Sequence, residues 1–357
     1  MNTRVRVGVV GFGFVSKTFH VPLLKQTEGY EIVAVSSRRP ADVAALLPDA
    51  KVLQDPKALA THPDVDLVVI ASPNETHAPL AELAIRAGRN VVVDKPFTVT
   101  LAEARHLTHL AEENGVLLSV FQNRRWDSDF LTITSALHQN LAGRVVMFES
   151  RIDRFRPDVR DRWREVPGPG AGLLYDLGPH LIDQTLLLFG IPDSVQATLA
   201  KQRNGARTDD FFQLVLRYGE MVATLGAGSL VCGGTSRFAV HGDRASIVKE
   251  KPDLQEDQLR AGIVPGSSDW GFDPDDAVVY EGAAGPRTLA AARGDQRGYY
   301  VALREALGGR APNPVPPAQG ATVMAIIEAA IQSDAEGRRI GPDVTNEERS
   351  AWPAGKV

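Results

Sequence analysis

Two stretches of this chain carry residue types that could do chemistry on a small molecule. The first is Val91-Val92-Val93-Asp94-Lys95-Pro96. Three β-branched residues read as a buried parallel strand, and they run straight into a carboxylate, an amine and a proline. An ammonium at the mouth of a buried strand is costly unless it meets a partner. In an open α/β sheet, ligands sit outside the carboxyl ends of the strands. Lys95 therefore stands where a substrate would be, or else it is an incidental surface residue. The second stretch runs from Gly168 to Gly190 and contains Tyr175, Asp176, Gly178, Pro179 and His180. Pro179 fits the first turn of a helix and Gly190 its stop, which puts His180 in the first turn of a helix of about 11 residues. The positive end of the helix dipole disfavours imidazolium, so the ring is neutral and able to accept a proton. Asp176, just before the helix, could fix the ring's tautomer and steady the cation formed on proton transfer. The bland alternatives are a His180 that caps its neighbours and an Asp176 that is a loop carboxylate.

The elements that would position these groups are legible around them. The run 5–10 is a short apolar strand, followed by Gly11-Phe12-Gly13-Phe14-Val15-Ser16 and a helical stretch. Gly11 permits a tight turn, Gly13 lets backbone approach a pyrophosphate, and the helix start supplies N–H groups. Ser16 replaces the usual third small residue. This is a dinucleotide-binding pattern. At the end of the next strand, 31–36, an NAD site would show an acid for the ribose hydroxyls; this chain has Ser36-Ser37-Arg38-Arg39. Hydroxyls and a guanidinium suit a 2′-phosphate, so NADP is expected over NAD. Strands at Val52, 66–71, 90–93 and 116–120 alternate with helices, and Ser72, Pro73, Asn74 and His77 follow the fourth strand. Six strands with helical crossovers make a doubly wound parallel sheet. After residue 122 the pattern changes. Short turns between alternating runs at 145–152, 194–200, 211–216, 222–227, 237–241 and 246–248 imply antiparallel pairing. The expected architecture is thus α/β: a Rossmann domain over 1–122, an α+β domain with a large, mainly antiparallel sheet over 123–340, and a loose tail over 341–357. Residues 255–295 read as an irregular excursion, and 318–336 as a final helix.

Composition narrows the class. Net charge is −5 with scattered basic residues, which argues against a nucleic-acid surface. The single cysteine, Cys232, permits no internal disulfide and fits a reducing compartment. No apolar run approaches a membrane span and the amino terminus shows no export signal, so a cytoplasmic protein is expected. His106 and His109 lie on an expected exposed helix face, and no metal site is read.

The spaced combination of Gly11-Phe12-Gly13, Asp94-Lys95-Pro96 and Asp176-Leu177-Gly178-Pro179-His180-Leu181-Ile182-Asp183 resembles the Gfo/Idh/MocA oxidoreductase family over nearly the whole chain. Residues 117–133, 154–157, 162–165, 174–185 and 255–262 are similar to its NADP-dependent scyllo-inositol 2-dehydrogenases. The family carries Glu where this chain has Asp94. The resemblance implies an NADP-dependent dehydrogenase or reductase acting on CH–OH groups of a cyclic polyol or sugar, with scyllo-inositol/scyllo-inosose as the specific expectation. It implies Lys95, Asp176 and His180 as catalytic residues: His180 exchanging the hydroxyl proton, Lys95 stabilising the alkoxide and Asp176 orienting His180. It also implies a cis Lys95–Pro96 bond and a homodimer or homotetramer. Cofactor contacts are expected from Gly11, Phe12, Gly13, Phe14, Val15, Ser36, Ser37, Arg38, Ser72, Pro73, Asn74, His77, Asp94 and Lys95. Substrate contacts are expected from Asn123, Arg125, Trp126, Arg156, Trp163 and Tyr175, polar or flat groups that suit a polyol. The alternatives are a non-catalytic NADP-binding sensor, or a reductase of another sugar or carbonyl substrate on the same fold.

Overall fold

The structure is a computed structural model that describes residues 4–161 and 163–352; the side chain of Trp163 lies outside the described residues. In chain order the strands are β1 (Val5–Val10), β2 (Tyr30–Ser36), β3 (Lys51–Leu53), β4 (Leu67–Ile70), β5 (Asn90–Asp94), β6 (Leu118–Phe121), β7 (Val145–Arg151), β8 (Ser194–Ala200), β9 (Phe211–Tyr218), β10 (Met221–Gly228), β11 (Phe238–Gly242), β12 (Ser246–Lys249), β13 (Ala277–Tyr280) and β14 (Arg287–Leu289). The α-helices are α1 (Val21–Lys25), α2 (Pro40–Leu46), α3 (Pro56–Ala60), α4 (His77–Arg86), α5 (Leu101–Glu113), α6 (Ser128–His138), α7 (Leu173–Phe189), α8 (Gln255–Arg260), α9 (Arg297–Leu307), α10 (Pro317–Glu336) and α11 (Asn346–Ser350). The chain divides into two compact units.

The first unit comprises the chain up to Trp126 together with 255–271 and 295–321. Its sheet has the order β3-β2-β1-β4-β5-β6, all parallel. Strands buried on both faces need apolar runs, and Leu67–Ile70 and Val91, Val92 and Val93 are fully buried. Helix α5 starts on a reciprocal capping box between Thr100 and Glu103. Polar side chains fasten the later segments to the amino-terminal part. Asn123 donates to Gln296 (3.0 Å), the Gln255 amide to the Trp126 carbonyl (3.1 Å), and Arg125 to Pro314 and Gln319 (3.0 and 2.9 Å).

A buried polar knot lies in the same unit. The His20 ring is fully buried, 4.2 Å from the Phe121 ring, with Nδ1 2.7 Å from the Tyr300 hydroxyl. Burial pulls its pKa down to about 4. The unfolded chain binds this proton below its ordinary pKa, the folded ring only near 4. Stability from this group is therefore complete above about pH 6.5 and falls by about 3 kcal/mol as the pH drops through that window. Replacing His20 by Phe is expected to flatten this part of a urea-unfolding pH profile. It adds a pH-independent loss, because the Tyr300 hydroxyl loses its partner.

The second unit comprises 127–254, 272–294 and the chain from Thr322. Its eight strands run in the order β14-β13-β12-β11-β7-β10-β9-β8, antiparallel except for the parallel β7–β10 pair. Helix α7 packs on β9 and β10. Residues 255–295 are more ordered than their Gly- and Pro-rich sequence suggests: they hold α8, β13 and β14. The tail is not loose over its described residues. Ile340 bridges to Val195, a Thr345–Glu348 capping box starts α11, and Trp352 is buried. No helix among the described residues is long and apolar enough to cross a membrane.

Candidate active site

The glycine turn follows β1. Gly11 has φ 88°, and a side chain there would meet the Ala71 carbonyl, so only glycine fits. A Cβ on Gly13 would meet no atom within 4 Å: the turn opens onto space at the point where a pyrophosphate would approach. Ser16, fully buried, donates to the Gly11 carbonyl at 2.6 Å, so the departure from a third glycine ties the turn closed. The Gly11 N–H donates to Ser36 Oγ at 3.3 Å, and Ser36 is buried. That hydroxyl serves the turn. Ser37 accepts from the Arg39 N–H at 3.0 Å, and Arg38 is exposed. Of the two neighbouring cations, Arg39 was in the sequence reading and Lys17 escaped it. Lys17 pairs with Asp42 at 2.8 Å and Arg39 with the same carboxylate at 3.4 Å; the Lys17 hydrogen bond holds Asp42 below its usual pKa. Only the folding of α2 beside the turn brings Asp42 there.

The loops after β4 and β5 are stapled by one ring. His77 is buried, with Nδ1 2.9 Å from the Pro96 carbonyl and Nε2 3.0 Å from the Ser72 carbonyl. Burial lowers its pKa, while Asp94 and these carbonyls act in the opposite direction. His77 thereby holds Ser72-Pro73-Asn74 against the loop that carries Lys95. Ser72 and Thr76 share a hydrogen bond of 2.5 Å, and Asn74 is buried. The Asp94 carboxylate accepts the Lys95 N–H at 2.8 Å, and the Lys95–Pro96 bond is cis, as the resemblance implies.

In the second unit, helix α7 corrects the reading of its start. It begins at Leu173, spans 17 residues and carries Pro179 in its interior. His180 is therefore not in the first turn, and the dipole argument for its neutrality falls away. Asp176 is in the first turn rather than before it. The cause is a cap from far along the chain: the Leu173 and Leu174 N–H groups donate to the Asp209 carbonyl and carboxylate at 2.9 and 2.7 Å. Gly172, at φ 97°, lets the chain turn in over that carboxylate, where a Cβ would collide. Burial raises the Asp209 pKa. The longer helix sets Asp176 and His180 four residues apart on one face, one turn from each other. His180 is 5% exposed. The Asp176 carboxylate lies 3.8 Å from an Arg154 nitrogen and 3.6 Å from Arg164. Asp176, Arg154 and Arg164, with Arg156, Arg203 and Asp209, line a cleft that opens to solvent. Arg203 is already committed to Asp210 and Glu165, at 2.9 and 3.1 Å.

Comparison with known proteins agrees with this layout. A profile described as the oxidoreductase family NAD-binding Rossmann fold matches residues 5–122, and one described as the family's C-terminal alpha/beta domain matches 135–341. The chain belongs to the Gfo/Idh/MocA oxidoreductase family. It is 47% identical to the uncharacterized oxidoreductase YdgJ of Escherichia coli, covering 93% of this chain and 97% of that protein. It is 38% identical to the NADP(+) scyllo-inositol 2-dehydrogenase IolW of Bacillus subtilis, covering 94% and 95%. The crystal structure of an oxidoreductase from Klebsiella pneumoniae superposes with a TM-score of 0.92 at 51% identity, covering 97% and 98%.

Within this family fold, the six expected substrate residues separate. Asn123, Arg125 and Trp126 lie in the first unit, where the first two make the bonds to 296, 314 and 319 described above. Trp126 packs edge-on to Tyr299, with its indole against Gly298. Arg156 lines the cleft that Asp176 also lines, and Tyr175 is its chain neighbour on α7. The side chain of Trp163 lies outside the described residues. Lys95 belongs to the first unit, Asp176 and His180 to the second. Sequence reasoning missed Asp209 and Arg154; the Gly170–Gly172 pair before α7 was the signal for a capped start.

Proposed function

We propose that this oxidoreductase is an NADP-dependent dehydrogenase of a cyclic polyol or sugar, with scyllo-inositol and its ketone scyllo-inosose as the specific pair. The observation that carries the reading is the i,i+4 placement on α7 of His180 and Asp176, the latter lining a polar cleft. The name of the relative IolW supports the substrate and the nucleotide.

In this reading, NADP supplies a nicotinamide carbon that accepts or returns the hydride. His180 takes the hydroxyl proton in oxidation and returns it in reduction. The Lys95 ammonium donates to the same oxygen as negative charge develops there. Asp176, one turn before His180, orients the ring. Ser37 and Arg38 receive the 2′-phosphate, with Lys17 and Arg39 adding positive potential next to them. Gly11 to Val15 approach the pyrophosphate, Ser72, Pro73 and Asn74 flank the nucleotide, and His77 and Asp94 hold the Lys95 loop. Arg156, Tyr175 and Trp163 are the second unit's candidates for the remaining hydroxyls. The working protein is a homodimer or homotetramer.

The test is a matrix of NADP and NAD against inositol stereoisomers and aldoses, followed by absorbance of the reduced nucleotide. Turnover with NADP and scyllo-inositol is expected. Turnover only with NAD would remove the Ser37–Arg38 argument, and turnover only on acyclic substrates would remove the inositol assignment.

A further inference from the structure

The segment 255–262 lies far along the chain from the glycine turn, yet it packs on it. Helix α8 contacts the turn of helix at Ser16–His20. The Arg260 guanidinium lies 4.7 Å above the ring of Phe14, the residue that directly follows Gly13, and Phe14 is half exposed. Arg260 is also braced from its own helix: Nη2 donates to Glu256 Oε1 at 2.6 Å, and Glu256 Oε2 accepts from Arg124 at 3.1 Å. Gln255 donates to the Trp126 carbonyl and accepts from the Gln296 N–H at 2.7 Å. Position and rotamer of Arg260 are thus set by residues 14, 124, 126, 256 and 296, all of the first unit.

We propose that Arg260 is a nucleotide-binding residue that contacts the pyrophosphate, and that 255–262 is a clasp over the glycine turn. The proposal rests on the nucleotide reading of that turn. A guanidinium carries five N–H donors, and the single Glu256 oxygen that Arg260 meets occupies only part of that fork. The Gly13 side of the turn opens onto empty space beside Phe14. The turn itself supplies backbone N–H groups but no formal charge. Its near cation, Lys17, is bound to Asp42, on the ribose side. Arg260 adds a full positive charge beside Phe14, next to the Gly13 opening, where the two phosphates of a dinucleotide need it. A side chain that only pinned α8 would be satisfied by Glu256 and Phe14 and would not distinguish one phosphate from two.

That difference gives the experiment. NADPH binding to the full-length protein is measured by its fluorescence, and ADP and AMP are titrated as displacing probes, for the wild type, Arg260→Ala and Arg260→Lys. The expected result is a loss of about tenfold for NADPH and ADP in R260A, less than about twofold for AMP, and an intermediate loss in R260K, as for a charge-assisted contact. Equal weakening of ADP and AMP would assign Arg260 to packing alone, and unchanged ADP binding in R260A would overturn the contact. A wild-type protein that binds no NADPH would instead overturn the nucleotide reading itself.

Discussion

Replacing His180 or Lys95 by alanine is expected to lower kcat by about 10²- to 10⁴-fold, the range for a positioned proton donor or an oxyanion-stabilising cation. NADPH affinity should stay within about twofold of wild type, since neither side chain is asked to hold the nucleotide by charge. The two losses should differ in kind. With His180 gone, the pH dependence assigned to the proton acceptor should vanish from kcat/KM. With Lys95 gone, that limb should remain and the rate should drop across the profile. His180 is buried in α7, so His180→Gln serves as a volume-keeping second variant. The Asp176→Asn variant keeps the helix cap and the one-turn spacing but removes the charge. A smaller kcat loss with an intact fold is expected from it. Loss of NADPH binding in both the Lys95 and His180 variants would contradict their assigned roles.

The second large effect is on stability and reaches the same helix. Arg237 is 2% exposed, and its guanidinium donates to Asp129 at 2.9 Å, Ser150 at 2.6 Å and Gln184 at 2.7 Å. Its Cζ also lies over the Phe238 ring, 3.9 Å from the ring centre. Gln184 is the next turn of α7 after His180, so this one side chain fastens the helix to the strand region at β7 and β11. Arg237→Met keeps most of the volume but strands the Asp129 carboxylate, itself 1% exposed, without its counter-charge. The expected loss is about 3–5 kcal/mol, read from urea unfolding. The double variant Arg237→Met with Asp129→Leu should recover much of it, because no buried charge is then left alone. A loss near zero in the single variant would mean that the guanidinium does not compensate Asp129.

The parallel sheet was legible because its signals are local. Val91, Val92 and Val93 announce a strand covered on both faces, and Gly11 and Gly13 sit between such a strand and a helix. The eight-stranded sheet was legible wherever turns such as 218–220 and 241–243 join alternating runs. Its last two strands, β13 and β14, were not: three- and four-residue strands among Gly, Pro and Asp carry too little periodicity. Helix α7 shows a different failure. Pro179 is a good first-turn residue in isolation, and only Asp209, contributed from just before β9, explains why the helix starts six residues earlier. The returning segments were opaque for the same reason. Asn123 and Arg125 looked like groups waiting for a substrate, but their bonds go to residues 296, 314 and 319. Long-range hydrogen bonds of this kind leave no local pattern.

In the proposed reaction, hydride passes between a carbinol carbon and the nicotinamide while the proton goes to a side chain. The direct test supplies NADP with scyllo-inositol deuterated at its carbon-bound positions and locates the label after turnover by mass spectrometry and NMR. The reduced nucleotide is expected to carry deuterium on its nicotinamide ring, and the transfer step to be slowed. Reduced nucleotide formed without label would contradict hydride transfer from the carbinol carbon.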